Sequence, residues 1–464
     1  MHAGAIRVLA VSPDGRSIAA GSVDGRVTVH GVDGRLRFDF LPGAPVTGLL
    51  WDRSGRALVE ADRGGTIRCY DVDPQRRLSP VLVTGLPQPW LGGTQVRASA
   101  DGTTLAVVGR SSDTVGAGRL SLVDVATGSM ASAALRPRAP GVATTPVSVA
   151  LTGDGAAAIV ATQEGLARYG RSAGGLAEQP APAAARPPND EVVEVTESVE
   201  VSADGSAATY LAGGIDADYG ESDGGHPQVL GAVDPTTLAR VGARLSPRGP
   251  LDATDTTGPT YYGSVVAGSD PTHPLLTCGL GCFARADLAS ATSTTVTPKV
   301  DDATAELIIN RSKVRVAAGA GDVVIEGSDG GLVRLFSGSG LSPVGPWVVA
   351  HGGRVQSAAV SSDGVLAATG GADSTAVLWD ARTGRRIGLP IRVGVGGSDY
   401  VSVALVPGAL LTVDTEGTAR RTPATADAWV ALACRKAGRD LTAAEWARFL
   451  PGRTPVPLCS PGRS

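Results

Sequence analysis

The chain has 464 residues, 42% hydrophobic and 19% charged, with 41 basic against 45 acidic residues and a net charge of -4. Its 63 glycines and 31 prolines make it too turn-dense for a helical bundle, and its apolar content is too high for a disordered tail. The basic residues form no block, which excludes the electrostatic footprint of a nucleic-acid binder.

At the N-terminus, Met1 to Ser12 lacks a basic region followed by an apolar core. The longest apolar stretch, Val401 to Val413, is interrupted by Pro407 and is too short to span a bilayer. Five cysteines, an odd number, predict reduced thiols in a cytoplasmic chain with no membrane partner. Lysine occurs only at Lys299, Lys313 and Lys436, so arginine carries the basic charge, as in GC-rich bacterial coding sequence.

A repeat then runs along most of the chain. Val8 to Gly15 (VLAVSPDG) opens a unit that returns at Val46 to Gly55, Val96 to Gly102, Val147 to Gly155, Val199 to Gly205 and Val355 to Gly364. Weaker copies end near Asp270, Gly321 and Gly408, and a degenerate one spans Tyr261 to Asp287. Each unit reads as an alternating apolar strand, an Asp-Gly turn, a second strand such as Leu366 to Gly370, another tight turn, and a third strand such as Thr375 to Asp380. Asp-Gly and Gly-Gly accept the positive φ that antiparallel hairpins need, and joining segments such as Leu36 to Leu41 alternate like half-exposed outer strands. Nine units of this grammar can be counted.

The units resemble the WD40 repeat family of β-propellers. The family's Gly-His and Trp-Asp landmarks are matched by His351 and Trp379-Asp380, and at the same spacing His2 precedes His30 and Pro42 precedes Tyr70-Asp71. The resemblance implies an all-β fold over residues 1–422: a single WD40-like β-propeller of eight or nine four-stranded blades, with a short C-terminal helical appendage at 423–464. It also implies a buried hydrogen-bonded tetrad of His351, Thr369, Asp373 and Trp379 in one blade. Elsewhere the tetrad decays, with Ala20 at the hydroxyl position of the first unit and Ala286 at a Trp position. A single closed ring avoids exposed sheet edges, but His2 already lies inside the first unit, so either closure is imperfect or Met1 is a late start.

Residues 172–190 are rich in Pro and Ala and read as a flexible excursion between blades. The acidic loop Asp216 to Gly225 gathers Asp216, Asp218, Glu221 and Asp223; Gly220 replaces a ligand of the helix-loop-helix calcium site, and a solvated hairpin tip is preferred. In the tail, Ala426 to Ala437 predicts a helix stopped by Gly438, and Thr442 with Glu445 predicts a capping box ahead of a second helix ending before Pro451. So short a pair is expected to pack Trp429, Trp446 and Phe449 on the propeller. The tail, from Trp429 through Cys434 to Cys459, is similar to the C-terminus of bacterial WD40 regulators associated with signal-transduction NTPases.

Catalytic signatures are few. None of the three lysines follows a glycine, so the phosphate-binding loop of an NTPase is not on this chain. His2, His30, His226, His273 and His351 form no metalloprotease pair, and His273 with Cys278 and Cys282 lacks a second ligand pair for zinc. Cys434 and Cys459 flank the tail helices, which leaves an approach of the two open, and structural thiols are the preferred reading. No catalytic residue, metal or cofactor is therefore expected. The favoured function is a non-catalytic interaction, scaffold or sensor module of a bacterial regulatory system, with a protein partner that could be an NTPase or signalling protein. The competing reading is a propeller enzyme or small-ligand binder using the central channel.

Overall fold

A computed structural model describes residues 5–23, 25–32, 36–40, 44–72, 81–88, 95–110, 118–135, 146–162, 165–172, 175–179, 196–201, 206–212, 229–245, 265–266, 273–279, 282–288, 290, 292–296, 314–320, 322–393, 400–450, 452–457 and 459. Among these, the strands form nine antiparallel sheets, eight four-stranded and one three-stranded, and the helices fall in the C-terminal tail. The fold is a WD40-like propeller architecture, and the degenerate segment is a complete sheet, from Val265–Val266 to Thr292–Val296. No described helix is long and apolar enough to cross a membrane.

The repeat's turn explains why each sheet starts as it does. Ser12 Oγ bonds Asp14 Oδ1 at 2.6 Å and accepts Ser17 N at 2.9 Å, while Gly15 takes φ 69°. Ser99 with Asp101, Thr152 with Asp154 and Ser361 with Asp363 repeat this arrangement, each followed by a glycine of positive φ. The hydroxyl and carboxylate satisfy the turn's amide groups, and the glycine supplies the left-handed conformation that other residues adopt at a cost.

The chain divides into two compact units, Val81–Arg421 and Met1–Pro80 with Thr422–Ser464. Val81–Arg421 holds seven sheets. Their innermost strands, from Val96–Ala98 and Pro146–Leu151 round to Val355–Val360 and Ser402–Val406, pack in succession and return to the start. Apolar faces fill these steps. Ala106, Val108 and Leu122 pack on Val149 and Leu151, Ala150 and Ile159 on Val199 and Tyr210, and Val406 and Leu411 close the circuit on Val96 and Val107.

The circuit thus closes after seven sheets, whereas the repeat count alone suggested one ring through all of them. The reason is strand Val81–Val83, which pairs with Ala419–Pro423 and supplies the last sheet's fourth strand. Beyond it, Leu86 N bonds Gly417 O at 3.0 Å, and Gln88 exchanges 3.0 Å backbone bonds with Arg110 of the first sheet in the circuit. A short segment therefore clasps first sheet to last and leaves no unpaired edge there.

Residues 172–190 are in part regular structure, which corrects the expectation of a loose excursion. Gly175–Gln179 is the outer strand of its sheet, paired to Gly165–Ser172, with Leu176 buried as its anchor. The acidic loop from Asp216 lies outside the described residues.

In the smaller unit, a four-stranded sheet (Ile6–Val11, Ser17–Ser22, Val27–Gly31, Leu36–Phe40) packs on a three-stranded one (Val46–Trp51, Ala57–Asp62, Ile67–Asp71). Ala19, Val27 and Val29 meet Val46, Trp51 and Leu58, and the Trp51 indole donates to Ala10 O at 3.1 Å.

Candidate functional site

The sheet Val355–Arg392 brings the four tetrad residues together. Thr369, on the second strand, stands beside Trp379 on the third, and Trp379 Nε1 donates to Thr369 Oγ1 at 3.1 Å. His351 Nε2 reaches the same hydroxyl at 2.9 Å, and its Nδ1 lies 3.1 Å from both Asp373 Oδ1 and Thr375 Oγ1. Asp373 also accepts Gly352 N at 2.8 Å and Thr375 Oγ1 at 2.7 Å. Trp379 is fully buried, and the close approach of backbone at Gly371, where a Cβ would sit 2.3 Å from His351 Nδ1, is open only to glycine. Burial pushes the His351 pKa down, opposed by the charge of Asp373, while bonds from Gly352 and Thr375 hold Asp373 low against its own burial. The imidazole is thus held neutral with both nitrogens engaged, an arrangement that fixes a turn and offers no free base.

Two other sheets place a glutamate at the register position of Thr369. Glu60 stands opposite Arg68 and Glu326 opposite Arg334, each separated by the sequence interval of Thr369 and Val377. Glu60 is completely buried; Arg68 donates to its Oε2 at 3.1 Å and to Asp62 Oδ2 at 2.7 Å. Desolvation, with the nearby Glu60 charge, pushes the Tyr70 phenol up to about 12. Arg334 lies over Phe336 and Trp347, and Phe336 meets Phe283 edge-on at 4.9 Å between neighbouring sheets. Sequence reading passed over these positions, although the Glu-to-Arg interval was visible in both units.

Among the described residues the innermost strands carry a charge pair that sequence did not suggest. Arg97 donates to both carboxylate oxygens of Glu200, with Nε to Oε2 at 3.1 Å. Arg97 stands two positions ahead of the turn serine Ser99, Glu200 holds the matching place in its sequence repeat, and Ala150 holds that place in the sheet between them. Burial lowers the Arg97 pKa to about 10, within the range where arginine stays charged at neutral pH.

His273 lies 3.8 Å from Asp287, and the side chains of Cys278 and Cys282 fall outside the described residues. Among the described residues no group of three His, Cys, Asp or Glu could hold a metal ion.

The tail folds as two helices, α1 (Ala426–Ala437) and α2 (Ala443–Phe449). Thr425 caps α1 and Gly438 ends it at φ 69°; Thr442 and Glu445 form the capping box of α2, and Arg439 clamps Glu445 at 2.7 and 2.9 Å. Trp429 Nε1 donates to Pro423 O at 2.7 Å and the buried Trp446 to Arg453 O at 2.8 Å, so both indoles are satisfied within the tail. The Phe449 side chain lies outside the described ones. Cys434 and Cys459, read as thiols, are joined in a disulfide with Cα atoms 5.3 Å apart. Sequence had left their approach open and preferred thiols; the turn after α2 and the bond from Cys459 N to Asp440 Oδ1 bring them together.

Successive four-stranded antiparallel sheets around a closed circuit define a β-propeller. The family described as WD domain, G-beta repeat, matches residues 1–30 and 342–380, the first unit and the unit that holds the tetrad. Those two stretches therefore match WD40 repeats, a fold that generally serves as a protein-interaction scaffold and is typically non-catalytic. No curated protein matches the chain.

Proposed function

We propose that this chain is a non-catalytic interaction module, a scaffold or sensor in a bacterial regulatory system, that engages a protein partner. The observation that carries this reading is how the ionisable groups at the described site are spent. Both His351 nitrogens are bonded within one sheet, and Arg97 closes on Glu200, so neither pair is presented for acid, base or anion chemistry. The WD40 repeats favour the same reading by analogy of fold. A signalling protein or NTPase is the partner class that the tail suggests, in a cytoplasmic setting.

The test is affinity purification of the tagged chain from its own cells, followed by reconstitution with the purified partner and metal analysis of the pure chain. A stoichiometric protein partner that rebinds supports the module. A chain that instead carries a bound metal or small ligand overturns it and favours the central-channel alternative.

A further inference from the structure

In Val81–Arg421 the sheet from Pro146 to Gln179 buries two flanks of different type. The residues one and three places ahead of the turn face the preceding sheet, as Val149 and Leu151 do; the residue two places ahead and its cross-strand neighbours face the following sheet, as Ala150, Ile159 and Ala161 do. All five are buried.

The smaller unit obeys the same rule inside. Ala10, two places ahead of Ser12, faces the second sheet, whose Leu49 and Trp51 face back. Its two remaining flanks are open. Leu9 and Val11, at the places of Val149 and Leu151, are 64% and 61% exposed; Ile6, brought onto that face by the register shift between Ile6 and Val8, is 51% exposed. On the second sheet Leu50, at the place of Ala150, is 68% exposed, and Ile67, at the place of Leu166 beside Ala161, is 73% exposed. Large apolar side chains exposed together on one flank mark an interface.

From this geometry we infer that the smaller unit binds a second copy of the chain head to tail, the Leu50 and Ile67 flank of one copy covering the Ile6, Leu9 and Val11 flank of the next. The inference rests on the interaction-module reading and names one partner for it. The occupant follows from the flanks themselves: one is of the type that meets a following sheet and the other of the type that meets a preceding sheet, so one unit carries both halves of a contact that Val81–Arg421 makes between neighbouring sheets. Such a contact is heterologous and propagates until the rotation closes.

The test uses the full chain and two double variants, Leu9→Glu with Val11→Glu and Leu50→Glu with Ile67→Glu. All four side chains are exposed, and unchanged circular dichroism and thermal unfolding will show that each variant folds. Sedimentation velocity over a concentration series should give species larger than monomer for the natural chain and monomer for each variant alone. An equimolar mixture of the variants should give a one-to-one dimer and nothing larger, because one intact pair of flanks remains. A natural chain that stays monomeric to its solubility limit, variants that still assemble, or a mixture that stays monomeric would each overturn the inference. A monomer that still captures and rebinds a different protein leaves the module reading intact while removing this one.

Discussion

The Arg97 guanidinium closes on the Glu200 carboxylate although a sheet lies between theirs in the circuit, and both side chains are largely withdrawn from solvent. Charges in such a place have lost much of their hydration, and each depends on the other for compensation. Replacing one alone strands the other, so Arg97→Met or Glu200→Leu should each lower stability by about 3–5 kcal/mol. The double variant Arg97→Met with Glu200→Leu should recover most of that loss. Chemical denaturation of the three variants, read as a double-mutant cycle, measures the coupling.

Much of this fold could be read from residue order because its rules are local. The Ser-x-Asp-Gly turn, with Ser12, Asp14 and Gly15 as its first instance, needs only four residues to define its hydrogen bonds, and it marked the sheets in advance. The helix ends at Gly438 and Thr442 were equally visible. What sequence hid is long-range. Val81–Val83 is too short to register as a strand until Ala419 and Arg420 are beside it, and Arg97 has no local signature that points to Glu200. Gly175–Gln179 was hidden by composition, since its one apolar anchor is Leu176 in an Ala- and Pro-rich stretch.

The clasp that ends the circuit makes Gly417 a sensitive position. It sits at φ 70°, and a Cβ there would lie 2.2 Å from Leu86 O, a backbone atom that cannot swing aside. Gly417→Ala therefore meets both an unfavourable φ and a clash, and should break the bond from Leu86 N. Thermal unfolding should fall by several degrees, and hydrogen exchange should quicken at residues 81–88 and 419–420 before the rest of the sheets.

His351 should make stability depend on pH near neutrality. Burial lowers its folded pKa below the unfolded value near 6.5, so the unfolded chain takes up a proton first as pH falls. The contribution is complete above about pH 6.5 and is lost as pH drops through the folded pKa. Unfolding midpoints should decline from pH 7 to pH 5, and His351→Gln should flatten that slope while lowering stability throughout. Trp379→Phe, which keeps most of the packing but loses the bond to Thr369, should cost about 1–2 kcal/mol and leave the slope in place.

A second loss belongs to the turns at lower pH. The bond from Ser54 and the amides of Ala57 and Arg56 hold the Asp52 carboxyl at about 2, below its ordinary value of 3.8, and Asp14, Asp101, Asp154 and Asp363 are lowered by the same kind of serine, threonine and backbone bonds. Their contribution is present above the ordinary carboxylate range and disappears as pH falls from about 4 toward 2. Acid titration should show a step there that His351→Gln does not move. Asp363→Asn, with no titrating group left in its turn, should make that step smaller.

The bond between Cys434 and Cys459 ties α1 to the segment after α2, across a separation of 25 residues. Cross-linking a loop of this length restricts the unfolded chain and contributes about 2–4 kcal/mol. Cys434→Ser, or reduction with dithiothreitol, should therefore loosen the tail first. Trp446 is buried and its indole bonded to Arg453 O within that loop, so its emission should shift to the red on reduction, ahead of any change in strand content. The compartment decides which form exists in cells, since such bonds persist in oxidising surroundings and are rare in the cytosol. Alkylation of freshly lysed cells, followed by mass analysis of both cysteines, separates the cases. Modified cysteines would match the cytoplasmic expectation and an open tail, and protected ones would place the working protein in an oxidising compartment with the tail closed.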